Sequence, residues 1–220
     1  MISILKYNII NIIRSKCNNP AIDLSGFDFR HQSGIMGHFD LEDQRDIPSP
    51  NTNPITVALH TGTVSYQDMP ATTIVDYERF FNDIHCAYYP PNDYVSNIKR
   101  VDYILFSDDQ SEFFILNELS QGSTKESDAK RQFIQTIQLW QNVGLLSILL
   151  RQFAHIYCIL SMRQKLKNTP EGMADSFLEI DKLLSDRKII KIKTLQNKGI
   201  YTIATDTVDI NAIRNLLNLE

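Results

Sequence analysis

Polar residues interrupt the apolar ones throughout Met1 to Arg14, a pattern that reads as an amphipathic helix. The pattern then breaks. Residues 18–56 are rich in Asn, Pro, Gly, Asp and Ser, with Pro20, Gly26, Gly34, Gly37, Pro48, Pro50 and Pro54 as punctuation, and they read as irregular chain with one short strand near Ile22 to Phe29. Residues 55–66 are β-branched and alternate around Gly62, which predicts a strand or bent hairpin. Ala71 to Asp83 reads as a helix opened near Thr72 or Thr73, with Val75, Tyr77, Phe80, Phe81 and Ile84 as its apolar positions.

Beyond the turn at Tyr88-Tyr-Pro-Pro-Asn92, the apolar runs Val101 to Phe106 and Glu112 to Leu119 flank Ser107-Asp-Asp-Gln-Ser111 and predict a hairpin. Ser123-Thr-Lys-Glu126 has the form of a capping box, and the helix it opens puts Ala129, Phe133, Ile137 and Trp140 on one stripe. Gly144 closes that helix or leads into a continuation through Leu150. His155 to Ser161 suits an interior strand, Asp175 to Leu184 a helix, and Arg187 to Thr205 a hairpin turning at Asn197-Lys198-Gly199. Asp209 caps a closing helix to Leu217. The fold class expected is α/β, a single mixed sheet flanked by helices.

Composition narrows the class. With 220 residues and 43% hydrophobic side chains, the chain can bury one substantial core. Residues 1–56 are expected as an N-terminal helix and irregular arm packed on that core, and residues 57–220 as one α/β domain. Cys17, Cys86 and Cys158 are too few and too scattered for a disulfide framework, which fits a reducing compartment. No run approaches the roughly 18 continuous apolar residues of a membrane span, so the expected setting is the cytoplasm, away from membranes. The net charge of −4 argues against coating nucleic acid by bulk charge. Its distribution is uneven: residues 151–200 carry 10 Lys/Arg against 5 Asp/Glu, and Arg163, Lys165, Lys167, Lys191 and Lys193 are candidates for a phosphate-contacting strip. A solvated basic face explains the same run.

The candidate chemistry lies in the hairpin. Asp102 begins its first strand and Glu118 ends its second, so antiparallel pairing brings the two carboxylates together. Adjacent carboxylates repel unless a cation sits between them, and phosphodiester hydrolysis uses such a cation to activate water and offset charge on the phosphate. Here the chain resembles the PD-(D/E)XK nuclease superfamily. Asp102 matches the family's aspartate and Glu118 the second acid, within a restriction-endonuclease-like αβββαβ core. The resemblance implies a Mg²⁺ or Mn²⁺ site held by Asp102 and Glu118, with Glu78 on the preceding helix as a further ligand and Asp83 behind it. It departs at Ser120, where the family has lysine; Lys125 or Lys130 on the following helix would replace it, with Gln132 and Gln135 as polar neighbours. The resemblance thus implies Mg-dependent cleavage of DNA. The alternative is a catalytically degenerate nuclease-like module that binds a protein partner, a second copy of itself or nucleic acid in a bacterial defence or mobile-element system.

Other residues carry less. Cys17, His31 and His38 match no standard zinc spacing, His85-Cys86 suits a helix end, and His60 and His155 read as packing residues. No phosphate-loop, dinucleotide or hydrolase-elbow motif occurs. Trp140, Phe133, Phe113 and Phe114 read as core, while Tyr94 and Tyr103 near Lys99 and Arg100 come closest to a base-stacking surface.

Overall fold

The computed structural model describes residues 1–16, 23–41, 64–88, 98, 100–120, 126–162, 188–205 and 207–219. Among the described residues eight strands form one mixed sheet: β1 (Arg30–Leu41), β2 (Val64–Asp76), β3 (Tyr103–Ser107), β4 (Phe113–Ser120), β5 (His155–Met162), β6 (Lys188–Ile189), β7 (Ile200–Ala204) and β8 (Thr207–Val208). The sheet order is β1-β2-β3-β4-β5-β7-β6, with β8 beside β2. Strands β1 to β4 are antiparallel neighbours, whereas β4, β5 and β7 run parallel. The helices are α1 (Ile2–Lys16), α2 (Tyr77–Tyr88), α3 (Glu126–Asn142), α4 (Leu145–Gln152), α5 (Lys193–Gln196) and α6 (Ile210–Leu217).

Strand alternation sorts the core into two layers. Phe114 and Leu116 of β4 join Ile104, Phe106, Ile156 and Cys158 in a core covered by α1 to α4. Phe113, Ile115 and Leu119 point to the opposite face and pack with Phe39, Tyr66, Ile159 and the α6 residues Ile210 and Ile213. The stripe expected of α3 holds, since Ala129, Phe133, Ile137 and Trp140 are all buried. Gly144 adopts φ 80°, and the chain bends by 99° there into α4 rather than continuing straight. Among the described residues no single helix is long and apolar enough to cross a membrane.

Four expectations are corrected. Residues 71–76 belong to β2, not to a helix: Thr72-Thr73-Ile74-Val75 is β-branched and paired on both sides, to β1 and to β3. The helix begins at Tyr77, and its cap is Asp76, whose carboxylate accepts from the Arg79 N–H at 3.1 Å, in place of either threonine. The supposed irregular arm contains β1, a twelve-residue strand. Glycine punctuation hid it, because Gly34 and Gly37 at φ 75° are bulges within the strand rather than turns that end it. Between Arg187 and Thr205 the turn lies at Asn197 to Gly199 as expected, but the first strand is only Lys188–Ile189 and a helical turn, α5, follows it. The strand expected near Ile22 to Phe29 does not form: residues 23–29 are irregular with a turn at Ser25-Gly26, whose Ser25 N–H is held by the Asp23 carboxylate at 2.9 Å, and strand begins only at Arg30. The hairpin turn at Gly62, the cap at Ser123 and the helix at 175–184 lie outside the described residues.

The closing helix agrees with expectation in detail, as Asp209 Oδ1 accepts from the Ala212 N–H at 3.0 Å. Asp209→Ala should cost about 1 kcal/mol and lower the midpoint of thermal unfolding by about 3 °C.

Candidate functional site

The β3–β4 register pairs Tyr103 with Asn117 and Ile104 with Leu116, and Asp102 and Glu118 each stand one residue beyond its last pair, at the same end of the hairpin. The backbone holds this end of the hairpin closed. The Asp102 N–H donates to the Asn117 carbonyl at 3.1 Å, and the Asp102 carbonyl accepts from the Tyr77 and Glu78 N–H groups at 3.0 and 3.1 Å. The first turn of α2 is thereby tied to the residue that opens β3. Asp102 Oδ2 in turn accepts from the Leu119 N–H at 2.6 Å, so its carboxylate reaches across to the residue beside Glu118. Both acids are buried, Asp102 to 4% and Glu118 to 1% exposure. By alternation Glu118 lies on the helix-covered face with Phe114 and Leu116.

On that face α3 crosses the strand starts, and Gln132 Nε2 donates to the Arg100 carbonyl at 3.3 Å. Lys130, half a turn earlier on α3, is half-buried. Lys125 falls outside the described residues. Ser120 ends β4 beside Met162 of β5. Asn117, fully buried, donates from its amide to the Ile159 carbonyl and to Ser161 Oγ, each at 3.0 Å, and stitches β4 to β5 next to Glu118.

Two further charged residues at this end of the sheet had no signal in the sequence pattern. Arg100 lays its guanidinium 5.2 Å from the centre of the Phe81 ring and donates to Asn82 Oδ1 at 2.5 Å and to the Ile98 carbonyl at 2.9 Å. Its Nη2 stands 3.9 Å from Glu78 Oε1, so Glu78 faces an arginine. Burial lowers the Arg100 pKa, and Glu78, Tyr77 and Asp102 oppose that shift. Asp76 ends β2 opposite Tyr103 and Arg30. Burial, reinforced by the neighbouring Glu78 charge, raises its carboxyl from 3.8 to about 6, against the opposing bond from the Arg79 N–H.

The sign of that shift makes a prediction. A carboxyl whose pKa is higher folded than unfolded binds more protons in the folded state, so its contribution to stability is present below pH 3.8 and is lost as pH rises through about 6. Asp76→Asn removes the buried charge and keeps an oxygen that caps α2. Urea unfolding in EDTA should show a gain of about 2 kcal/mol at pH 7.5 that vanishes near pH 4.

Among the described residues no group of three or more His, Cys, Asp or Glu side chains is placed to share a metal ion. Asp102 and Glu118 remain, two buried acids at one end of the hairpin, and their oxygen donors suit a hard cation: Mg²⁺ is commonly bound by one or two carboxylates, with water and substrate phosphate completing its shell. Asp83 accepts from Arg79 Nε at 2.9 Å and faces away into α2's own ion pair. His31 Nδ1 lies 3.1 Å from the Phe29 carbonyl, and His38 Nε2 lies 3.2 Å from Ser65 Oγ; Cys17 is outside the described residues.

The basic strip is divided. Arg163, Lys165 and Lys167 lie outside the described residues. Ala204 of β7 stands in the same row as Leu160 and Glu118, and Lys188 of β6 is opposite Ala204. Lys191 follows β6 and Lys193 opens α5, so the chain there has already run antiparallel to β7 away from the row of the carboxylates. Tyr103 is 3% exposed, which removes it from any base-stacking surface. Fold and site together define a mixed α/β protein with a buried carboxylate pair at the strand ends of its central hairpin. Comparison with protein-family models, curated proteins and solved structures finds no match for the chain.

Proposed function

We propose that this chain is a PD-(D/E)XK-type nuclease domain that hydrolyses DNA phosphodiester bonds with Mg²⁺ or Mn²⁺. The observation that carries the reading is the burial of Asp102 and Glu118 at the same end of the β3–β4 hairpin, with Asp102 Oδ2 bonded to the N–H of Leu119, the residue after Glu118. Topology supports it. The antiparallel run β2-β3-β4, the helical crossover α3-α4 and the parallel strand β5 supply a βββαβ order, with α2 inserted between β2 and β3; α1 precedes it in the chain, separated from β2 by β1.

Asp102 and Glu118 would hold the ion, which when bound supplies an activated water and offsets charge on the phosphate. Glu78 and Arg100 shape the adjoining wall, and Gln132 keeps α3 over the strand starts. Lys130, or Lys125 beyond the described residues, takes the place of the missing lysine at Ser120. A specific pair of observations favours a second reading, the degenerate binding module: Ser120 supplies no charge, and both carboxylates are nearly closed to solvent. The test is cleavage of linear, circular and single-stranded DNA, and of RNA, in Mg²⁺ or Mn²⁺ against EDTA, for the wild type, Asp102→Asn and Glu118→Gln. Metal-dependent cutting lost in both variants supports the nuclease. No cutting of any substrate, with no metal-induced thermal shift, moves the assignment to the binding module.

A further inference from the structure

The face of the sheet opposite α1 to α4 carries a row of rings at its β6 side. Tyr157 of β5 pairs with Tyr201 of β7, and their ring centres are 6.3 Å apart. His155, two residues before Tyr157 on the same strand face, brings its ring centre to 5.9 Å from that of Tyr157. On the other side the β6–β7 register, prolonged by the bond from the Ile190 N–H to the Thr202 carbonyl at 2.8 Å, brings residue 191 alongside Tyr201. Ile190 and Ile192 are buried in the helix-covered core, so Lys191 points to the same face as Tyr201 and is exposed. Lys193 follows, also exposed, and neither lysine forms an ion pair among the described residues. From α6, Arg214 lies near the Tyr157 side chain. Tyr157 is buried beneath this layer, and Tyr201, His155 and Arg214 are half-buried above it.

We infer that this face is a platform for single-stranded DNA, with bases stacking on Tyr201 and His155 and phosphates meeting Lys191, Lys193 and Arg214. Charge complementarity selects the occupant. In a chain of net charge −4, exposed cations gathered around rings suit a polyanion that also carries flat apolar faces, and unpaired nucleotides combine the two. An acidic peptide would use the cations but not the rings. A duplex keeps its base faces stacked on one another and would use only the cations. The inference takes from the proposed function only the choice of DNA over RNA. The platform is on the other face of the sheet from Glu118, and Tyr157 is three residues earlier than Leu160, Glu118's partner, so about 10 Å along the strand separates them.

The experiment is fluorescence anisotropy of a labelled dT20 oligonucleotide with the full chain in EDTA, over a salt series. Unlabelled duplex, RNA of the same length and polyglutamate serve as competitors. Tyr201→Ala should weaken binding about tenfold, and Tyr201→Phe, which keeps the ring, should not. The surface double variant Lys191→Glu/Lys193→Glu should weaken it further and flatten the slope of log affinity against log salt by about 1.4, two phosphates' worth for a single strand. Absence of wild-type binding, variants that bind as wild type, or competition by duplex or polyglutamate as strong as by dT20 would each overturn the inference; RNA competing better than dT20 would overturn its choice of DNA. Because no metal is present, a result here is independent of whether Asp102 and Glu118 support cleavage.

Discussion

Glu118→Gln and Asp102→Asn are each expected to reduce metal-dependent DNA cleavage by at least about 10³-fold, the equivalent of losing roughly 4 kcal/mol of charge stabilisation at the phosphate. The amides keep the volume of the acids in a closed site, and the new asparagine retains an oxygen to accept from the Leu119 N–H. Folding should therefore survive, and stability should move in the opposite direction to activity. Two carboxylates buried at one end of a hairpin without a cation repel, so neutralising one should raise the unfolding midpoint of the metal-free protein and remove the further rise that Mg²⁺ or Mn²⁺ gives the wild type. Parallel measurements of cleavage and of thermal unfolding with and without metal check both halves. Variants that cut as well as the wild type would place the chemistry elsewhere.

Trp140→Ala should have the largest effect on stability, a loss of about 4 kcal/mol, which is a large share of the ~5–15 kcal/mol that holds a typical domain folded. The indole is fully buried, meets Phe114 edge-on with ring centres 5.8 Å apart, and donates from Nε1 to the Tyr77 hydroxyl at 3.0 Å. Tyr77 in turn meets Phe81, and Phe114 meets Phe153. One side chain thus joins α2, α3, β4 and the end of α4. Truncation leaves a cavity and deprives the Tyr77 oxygen of its donor. Trp140→Phe, which refills most of the space, should cost markedly less. Trp140 is the chain's one tryptophan, so urea unfolding is followed by circular dichroism rather than by fluorescence.

The parts of the fold that were readable in the sequence are those where local preference and burial agree. The β3–β4 hairpin has apolar runs on either side of a polar turn, and α3 has an unbroken stripe from Ala129 to Trp140. The same hairpin places Asp102 and Glu118 at one end of the sheet, since its turn fixes which strand ends lie side by side. The reading failed where tertiary pairing overrides a local sign. Thr72 and Thr73 look like caps, yet β1 and β3 claim them as strand, and Thr73 uses its hydroxyl to bridge Ser33 and Asp108. Misplacing that helix start concealed Asp76, which then appeared to lie inside a helix. Arg100 follows a turn and precedes the strand, and its contacts with Phe81 and Asn82 are long-range consequences of how α2 docks. For Lys191 and Lys193, the antiparallel sense of β6 against β7 decides which end of the sheet they occupy, and spacing alone does not encode that.

The bulges in β1 bear on how the molecule behaves among copies of itself. β1 is the long outer strand of the described sheet, and a regular outer strand of twelve residues would offer an extended row of backbone donors and acceptors to any other strand. Its pairing with β2 instead shifts register between Gln32 and Ile35, between Ile35 and Gly37 and between Gly37 and Phe39. Asp108 secures the distortion, its Oδ2 accepting from the Gly34 N–H at 2.9 Å. Each shift turns the outward row of amides out of line, so an incoming strand finds matching partners for only a few residues at a time. The ladder bonds given up in the hairpin keep this edge from templating aggregation in a crowded solution.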